Sequence, residues 1–277
     1  MVKAYAPSHI TGFFEIVEDS DPAYMGSRGC GMALSSGCET EVVLGKKDLF
    51  LINGEEADAL TTAYVVERLA NEPVEISSSY NVPVGGGFGA SGSGALSSAY
   101  ALNALFSLGM SLEELGKVAH LAEVENRTGL GDVIAQMHGG IVIRREPGAP
   151  GIGVVDDIPT GDIEVGYVVL GSLSTKVILE DPRMIREINA HGRAALKELL
   201  KVPTLNNFMG LSKRFAIDTG LISEKARDAV EAVEEGGGLA SMAMLGDVVF
   251  AVGNFEPLSD FGEVGVSSIS CGGARLL

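Results

Sequence analysis

The chain of 277 residues carries a formal net charge of −17, with 20 Lys and Arg against 37 Asp and Glu. Nucleic-acid binding requires a basic patch that neutralises phosphates, so this balance argues against such a partner and is typical of a solvated acidic surface. With 46% hydrophobic and 21% charged residues, the composition indicates a globular protein of one large domain or two closely joined ones.

The three cysteines, Cys30, Cys38 and Cys271, form no C-x-x-C pair. An odd number without this spacing favours a reducing compartment over a disulfide framework or a zinc site. The chain does not open with a basic region followed by an apolar stretch, and no apolar run approaches the roughly 18 residues of a membrane span. We therefore expect a cytoplasmic protein without a signal peptide or a membrane partner.

Short segments of alternating polarity occupy the first part of the chain. Because alternation with period two is typical of half-buried strands, it indicates a mixed or antiparallel sheet. A helix is predicted at about 55–69. Strands are predicted at 11–17, 40–44, 49–52 and 74–79.

Two helices are predicted in the middle of the chain. Apolar residues at helical spacing predict the first over 95–106. Ser111 and Glu114 form a capping box, in which each side chain accepts a hydrogen bond from the other residue's backbone, so the second helix is predicted over 112–126. A strand is predicted at 139–145.

The stretch 146–153, which contains two prolines and three glycines, is the most linker-like part of the chain. We predict a domain boundary there, with an N-terminal domain over 1–150 and a C-terminal domain over 151–277. The strands and helices of the second half are predicted at 163–170, 181–200, 223–235 and 247–252.

The segment 83–93, PVGGGFGASGS, places five glycines and two serines between a predicted strand and a predicted helix. Glycine lets the backbone approach a polyphosphate closely, and the N–H groups and dipole at a helix start favour an anion. The segment therefore predicts a phosphate-binding loop. Its candidate contact residues are Pro83, Gly85, Gly86, Gly87, Gly89, Ala90, Ser91, Gly92 and Ser93.

Other loop types share parts of this pattern. The segment contains a literal G-x-G-x-x-G, which also occurs in dinucleotide-binding folds, but there the acidic residue that follows ends a strand. Here the corresponding residues, Glu113 and Glu114, lie in the first turn of a capped helix. No Gly-Lys-Ser/Thr follows, which excludes a Walker loop, and no His-Arg-Asp or Asp-Phe-Gly motif supports a protein kinase. A turn without a ligand is the remaining alternative.

The loop resembles the phosphate loop of the GHMP kinase family, P-x-x-x-G-L-G-S-S-A-A, to which Pro83, Gly87, Gly89 and Ser91 correspond. The resemblance implies an ATP-dependent kinase that uses Mg²⁺. It also implies an α/β fold of the α+β type, with an N-terminal, ATP-binding S5-domain-2-like domain and a ferredoxin-like C-terminal domain. Either Ser91 or Ser93 is expected to contact the metal.

The segment 128–133, TGLGDV, offers the carboxylate of Asp132 on a glycine-rich turn between a predicted helix and a predicted strand. Phosphoryl transfer to an alcohol needs a divalent ion on the phosphates and a carboxylate near the attacking hydroxyl. Aspartate in a turn is commonly structural. Because family members carry their catalytic aspartate in a similar Gly-x-Asp turn, the resemblance implies a catalytic role for Asp132.

The preceding helix offers two candidates for the metal carboxylate, Glu123 and Glu125. At about 100° per residue, His120, Glu123 and Arg127 share one stripe beside small residues that leave room for a ligand, whereas Glu125 lies on another side. We therefore favour Glu123. A surface ion pair between Glu123 and Arg127 is the alternative interpretation.

Within the family, the segments 4–14, 128–133 and 240–246 resemble the archaeal members that phosphorylate pantoate. This acceptor carries a carboxylate, two hydroxyls and a gem-dimethyl group, so its site is expected to hold a guanidinium, hydroxyl partners and an apolar wall. Arg144 is the candidate carboxylate clamp, and Arg145 is expected on the opposite face of the strand. The candidate polar partners are Ser27, His120 and Thr175.

The expected partners are therefore pantoate and ATP, with no nucleic acid, and a homodimer is compatible with the sequence. Another acceptor, such as homoserine, shikimate or mevalonate, is the alternative within the family. A non-catalytic binding protein with the same fold is the alternative from a different class.

Overall fold

The computed structural model describes residues 1–171 and 181–277. Its strands are β1 Val2–Val17, β2 Gly26–Leu44, β3 Leu49–Ile52, β4 Glu55–Glu56, β5 Val74–Tyr80, β6 Ile141–Glu146, β7 Val154–Ile158, β8 Glu164–Gly171, β9 Leu239–Ala243, β10 Asp247–Val252, β11 Val264–Ser268 and β12 Arg275–Leu276. Its helices are α1 Leu60–Leu69, α2 Ala90–Phe106, α3 Leu112–Asn126, α4 Asp132–His138, α5 Pro182–Leu199, α6 Leu205–Asp218 and α7 Glu224–Glu235, with a 3₁₀ turn at Glu256–Asp260.

The larger sheet has the order β12-β1-β2-β5-β3-β4, and β6 pairs with β2 and with β7. Its long antiparallel ladder between β1 and β2 is interrupted by register shifts at Pro7/Ser8 and at Thr11/Phe13. Such irregularities change the direction in which nearby side chains point and are common beside functional sites. His9 lies between the two shifts.

The smaller sheet has the order β11-β8-β10-β9, and all its described pairings are antiparallel. One hydrophobic core connects β1 with this sheet and with α5, α6 and α7. Phe13 of β1 contacts Phe208 and Phe215 of α6, with ring centroids 6.3 and 6.4 Å apart. A second core lies between the larger sheet and α1, α2 and α3.

Helix α2 follows the glycine loop and is buried along most of its length. Its sequence is rich in Ala, Gly and Ser, so it packs closely against β1 and β2 on one side and α1 and α3 on the other. Gly89 precedes it in the left-handed conformation, with φ of 61°. The loop is therefore held at the end of a buried, central helix.

The predicted α+β class is confirmed by the two sheets and the separate helices of the described residues. The helix predicted over 55–69 was wrong at its start, because Asn53 and Gly54 form a tight turn with positive φ that pairs β4 with β3. Helix α6 was not predicted.

The division of the chain at residue 150 stays a prediction. The strands β8 to β11 of the smaller sheet follow that position, and so do β7 and β12, which pair with the larger sheet.

The predicted capping box at the start of α3 is confirmed. Ser111 Oγ accepts a hydrogen bond from the Glu114 backbone N–H at 3.3 Å, and Glu114 Oε2 accepts one from the Ser111 backbone N–H at 2.8 Å. This cap sets where α3 begins. Its buried face then includes Ala119, His120 and Glu123.

The end of β1 is attached to α5 by Asn189. Its side-chain oxygen accepts a hydrogen bond from the Ile16 N–H at 2.8 Å, and its side-chain nitrogen donates one to the Ile16 carbonyl at 3.0 Å. One amide therefore satisfies both backbone groups of a strand residue. Gly192, one turn later, lets α5 approach the Phe14 backbone.

We predict that Asn189→Ala lowers the free energy of unfolding by about 2 kcal/mol, because two hydrogen bonds of about 1 kcal/mol each are lost. Urea denaturation followed by circular dichroism measures this change. Arg186→Ala, at an exposed position on the same helix, is the control and is expected to change stability by less than about 0.5 kcal/mol. Equal stability of the two variants would contradict a stabilising role for Asn189.

Candidate active site

A cleft of about 270 Å³ lies where the glycine loop, the turn after α3 and the turn between β9 and β10 meet. Residues of the larger sheet form its floor. It is lined by Thr11, Phe14, Ser27, Val84, Gly85, Gly87, Phe88, Gly89, Ala90, Ser91, Thr128, Gly129, Leu130, Gly131, Asp132, Arg144, Met244 and Leu245.

The glycine loop depends on backbone conformations that favour glycine. Gly85, Gly87 and Gly89 have φ values of 85°, 82° and 61°. A Cβ atom at Gly87 would lie 3.1 Å from the Gly246 backbone. The loop therefore lies directly against the β9–β10 turn, and it leads into the N-terminus of α2, where backbone N–H groups favour a bound phosphate.

The two candidate serines of the loop have different environments. Ser91 lines the cleft, and its hydroxyl lies close enough to Glu123 to act on the pKa of that carboxyl group. Ser93 is fully buried and donates a hydrogen bond to the Ala90 carbonyl at 3.0 Å. The structure therefore brings Ser91, and not Ser93, to the cleft. Of the other predicted loop contacts, Pro83, Gly86 and Gly92 do not line it.

Asp132 is the first residue of α4 and lines the cleft. The predicted turn leads into this helix rather than directly into a strand. Asp132 Oδ1 accepts a hydrogen bond from His9 Nδ1 at 2.6 Å. Burial acts to raise the pKa of Asp132, but the hydrogen bond from His9 and the positive charge of Arg144 outweigh it, so the pKa is lowered. Asp132 is therefore ionised at neutral pH.

His9 was not among the predicted site residues, although it lies in the segment 4–14. The residue is fully buried, and its Nε2 lies 3.5 Å from Arg144 Nη1. Burial lowers the pKa of His9 in spite of its contact with Asp132. A single histidine in a strand gives no spacing signal, so only the tertiary contacts identify it.

Glu123 lies on the buried face of α3, 2% exposed, next to the cleft. Its Oε1 accepts a hydrogen bond from Thr128 Oγ1 at 2.7 Å, whereas its buried Oε2 has no hydrogen-bond partner. Burial and the negative charge of Asp132 raise the pKa of Glu123 to about 7, against the opposing effect of the Thr128 and Ser91 hydroxyls. Glu125, the other candidate, is exposed and lines a neighbouring cavity.

Gly129 separates the two carboxylates. A Cβ atom there would lie 3.0 Å from Asp132 Oδ2 and would also contact Glu123 Oε2. Both oxygen atoms therefore face the same small space. Opposite shifts of two neighbouring carboxyl pKa values are typical of sites in which the two groups have different roles.

The described residues contain no cluster of three or more His, Cys, Asp or Glu that could hold a metal ion by itself. Mg²⁺ commonly takes one or two protein ligands and completes its shell with phosphate oxygens and water. The unpartnered Oε2 of Glu123 beside the Ser91 hydroxyl fits that pattern. These two residues could hold Mg²⁺ together with a bound polyphosphate.

Arg144 on β6 is 1% exposed, and its buried Nε has no hydrogen-bond partner. The neighbouring Arg145 is exposed and pairs with Asp156 at 3.5 Å, as strand alternation predicted. A Cβ atom at Gly131 would lie 2.6 Å from Arg144 Nε and would also contact Ser27 Oγ. The missing side chain thus lets Gly131 pack closely against both groups. Arg144 and Ser27 line the cleft, where they can bind an anionic group.

Of the predicted polar partners, Ser27 lines the cleft and His120 does not. His120 is buried, and its Nε2 donates to the carbonyls of Met25 at 3.0 Å and Pro22 at 3.3 Å. It therefore holds the chain just before Ser27. Thr175 lies outside the described residues.

No helix within 1–171 or 181–277 has the length and apolar character that a membrane crossing requires.

Comparisons with known proteins agree with this geometry. The family of GHMP kinase N-terminal domains matches residues 59–140, which include the glycine loop, Glu123 and Asp132. The pantoate kinase of Methanocaldococcus jannaschii is 38% identical over 271 residues, covering 96% of this chain and 98% of that protein. The pantoate kinase of Thermococcus kodakarensis is 38% identical over 268 residues, covering 91% and 87%.

A solved structure described as a phosphotransferase related to the CoA biosynthesis pathway superposes with a TM-score of 0.91 at 34% identity, covering 100% of this chain and 98% of that one. Similarity over nearly the whole length, together with a glycine loop and two neighbouring carboxylates at one cleft, shows that the chain belongs to the pantoate kinase family of GHMP kinases.

Proposed function

We propose that this kinase transfers the terminal phosphoryl group of ATP to the terminal hydroxyl of pantoate, forming 4-phosphopantoate for coenzyme A synthesis. The observation that carries the proposal is the cleft, which places the glycine loop, the ionised Asp132 and the unpartnered donor of Arg144 together. The activity named for the relatives supports pantoate as the acceptor.

ATP is bound by the loop through backbone groups rather than by a set of basic side chains. Gly85, Gly87, Gly89, Ala90 and Ser91 line the cleft. Their N–H groups and the start of α2 supply the positive potential that an acidic protein otherwise lacks. Pro83, Gly86 and Gly92 do not line the cleft. We therefore assign them an indirect role in ATP binding, through the conformation of the loop.

The acceptor is oriented by its carboxylate. The guanidinium of Arg144 and the hydroxyl of Ser27 both face the space beside Gly131, so they bind the carboxylate and a hydroxyl of pantoate. Phe14, Leu130 and Met244 on the same cleft supply an apolar wall for the gem-dimethyl group. His120 acts indirectly through Ser27, and a contact with Thr175 stays a prediction.

Asp132 orients the attacking hydroxyl. Its lowered pKa makes it a weak base. Phosphoryl transfer passes through a loose transition state that depends mainly on positioning and electrostatics, so a strong base is not required. Asp132 accepts a hydrogen bond from the hydroxyl and takes its proton as the new phosphate ester forms.

Mg²⁺ belongs to this proposal, with Ser91 and Glu123 as its protein ligands. When bound, the ion neutralises charge on the phosphate oxygens. Ser93 is disfavoured because its hydroxyl is directed to the Ala90 carbonyl. Glu123 must be ionised to bind the metal, whereas burial favours its protonated form.

Homoserine, shikimate and mevalonate also carry a carboxylate and a hydroxyl, so Arg144 and Asp132 alone do not exclude them. The pantoate kinases that match the whole chain favour pantoate. A non-catalytic binding protein is disfavoured because Asp132 and Glu123 both adjoin the glycine loop.

We predict that the purified protein releases ADP from Mg-ATP on addition of pantoate, and not on addition of homoserine, shikimate or mevalonate. Asp132→Asn is expected to lower kcat on the order of 10²-fold or more while ATP affinity changes little, because the hydroxyl loses its proton acceptor. A coupled ADP assay and calorimetry measure the two effects, with Asp156→Asn as an exposed control. ATP binding without ADP release for any acceptor would favour a non-catalytic protein.

Arg144→Ala is expected to raise the KM for pantoate about tenfold or more, since a charge-assisted contact of at least ~1.4 kcal/mol is lost. The KM for ATP is expected to change little. Steady-state kinetics measure both constants. Arg145→Ala removes the neighbouring exposed guanidinium and is the matched control. An unchanged pantoate KM in Arg144→Ala would show that another group binds the carboxylate.

Glu123→Gln tests the metal site and its pH dependence. The pKa of Glu123 is raised from 4.5 to about 7, so its contribution to stability is present below pH 4.5 and is lost as the pH rises through about 7. Without Mg²⁺, the substitution is therefore expected to increase stability at pH 8 relative to wild type, by up to about 3 kcal/mol, and to have little effect near pH 4.5.

The same variant is expected to lose most Mg²⁺ affinity in the presence of a non-hydrolysable ATP analogue. Urea denaturation at several pH values and calorimetric titration measure these two properties. Glu125→Gln is the control from the exposed side of the helix. If Glu125→Gln weakened Mg²⁺ binding and Glu123→Gln did not, the assignment of the metal carboxylate would be reversed.

A further inference from the structure

We propose that His9 is a positioning residue that holds Asp132 and Arg144 in a set arrangement. Asp132 orients the hydroxyl of the acceptor, and Arg144 binds the carboxylate of the acceptor. One imidazole contacts Asp132 through Nδ1 at 2.6 Å and Arg144 through Nε2 at 3.5 Å. The inference rests on the proposed function, because Asp132 and Arg144 have these roles only in that reaction.

The imidazole has little freedom to move. His9 is fully buried, and its backbone N–H donates to the Phe88 carbonyl of the glycine loop at 2.9 Å. On the neighbouring strand, a Cβ atom at Gly31 would lie 2.7 Å from His9 Cε1. The ring therefore fills the space that Gly31 leaves. His9 thus contacts the glycine loop, Asp132 and Arg144.

The contacts require one tautomer. Asp132 is ionised and can only accept a hydrogen bond, so the proton of the imidazole lies on Nδ1. Burial keeps the ring neutral, which leaves a lone pair on Nε2 that accepts from an Arg144 N–H. In the other tautomer, Nε2–H would face the guanidinium and two donors would oppose each other.

Asp132 and Arg144 each keep one polar atom that His9 does not contact. Asp132 retains Oδ2, which faces the space beside Gly129, and Arg144 retains its Nε, which has no hydrogen-bond partner. Both side chains hydrogen-bond to one planar ring. The ring therefore sets the distance between Asp132 Oδ2, which binds the acceptor hydroxyl, and Arg144 Nε, which binds the acceptor carboxylate. His9 thus selects acceptors by the distance between their hydroxyl and carboxylate.

His9→Asn and His9→Gln separate the two contacts. The amide nitrogen of Asn lies near the position of imidazole Nδ1 and preserves the donor to Asp132, whereas the amide oxygen of Gln reaches the position of Nε2 and preserves the acceptor for Arg144. We expect His9→Gln to lower kcat about tenfold or more with little change in the pantoate KM. His9→Asn is expected to raise the pantoate KM about tenfold and to lower kcat less than about threefold.

His191→Gln, at a half-exposed histidine on α5, is the control and is expected to leave both constants unchanged. Circular dichroism of each variant reports whether it folds. Equal changes of kcat and KM in the two folded His9 variants, or no change in either, would overturn the proposal.

Nuclear magnetic resonance of wild-type protein with ¹⁵N-labelled histidine tests the contacts without any acceptor. The His9 ring is expected in the neutral Nδ1–H form. A neutral Nε2–H form would overturn the proposal, even if the variants failed to fold. Absence of ADP release from wild type with pantoate would instead contradict the proposed function, so the two failures are distinguishable.

Discussion

The charged carboxylate of Asp132 and the charged guanidinium of Arg144 both contact the buried imidazole of His9, and these two contacts place strict demands on the surrounding fold. Removing charges from water is costly unless each is paired and hydrogen-bonded. His9 can meet both neighbours only if β1, β6 and the start of α4 are held within hydrogen-bonding distance. The irregular register of β1 on either side of His9 and the bare Gly31 beside its ring make that approach possible.

The carboxyl group of Glu123 has a different electrostatic environment from that of Asp132. Glu123 is buried with one oxygen unpartnered, and the pKa of its carboxyl group rises to about 7, while the pKa of Asp132 falls. Burial therefore disfavours the ionised form of Glu123, and a bound cation would offset that cost, whereas Asp132 is already stabilised by protein groups. This difference supports a metal-binding role for the first and an orienting role for the second.

Glycine contributes to the cleft in two distinct ways. In the loop, Gly85, Gly87 and Gly89 adopt positive φ, so the backbone itself can surround a phosphate. In the turn after α3, Gly129 and Gly131 leave space where a Cβ atom would meet the carboxylates, Ser27 or Arg144. The side chains of the site can therefore converge on a small volume without blocking it.

The sequence by itself predicted the phosphate loop from local glycine spacing and favoured Glu123 over Glu125 from helix periodicity. The resemblance of its motifs gave the family, which the relatives confirm, and implied the role of Asp132. Only the tertiary structure placed Ser93 away from the cleft, assigned His120 to the chain before Ser27, and brought His9 to Asp132. The contacts of His120 and His9 join residues more than 90 positions apart, and no local pattern specifies which strands meet. The physical reason is that long-range strand pairing and side-chain burial, rather than residue type, decide which polar side chain faces the cleft.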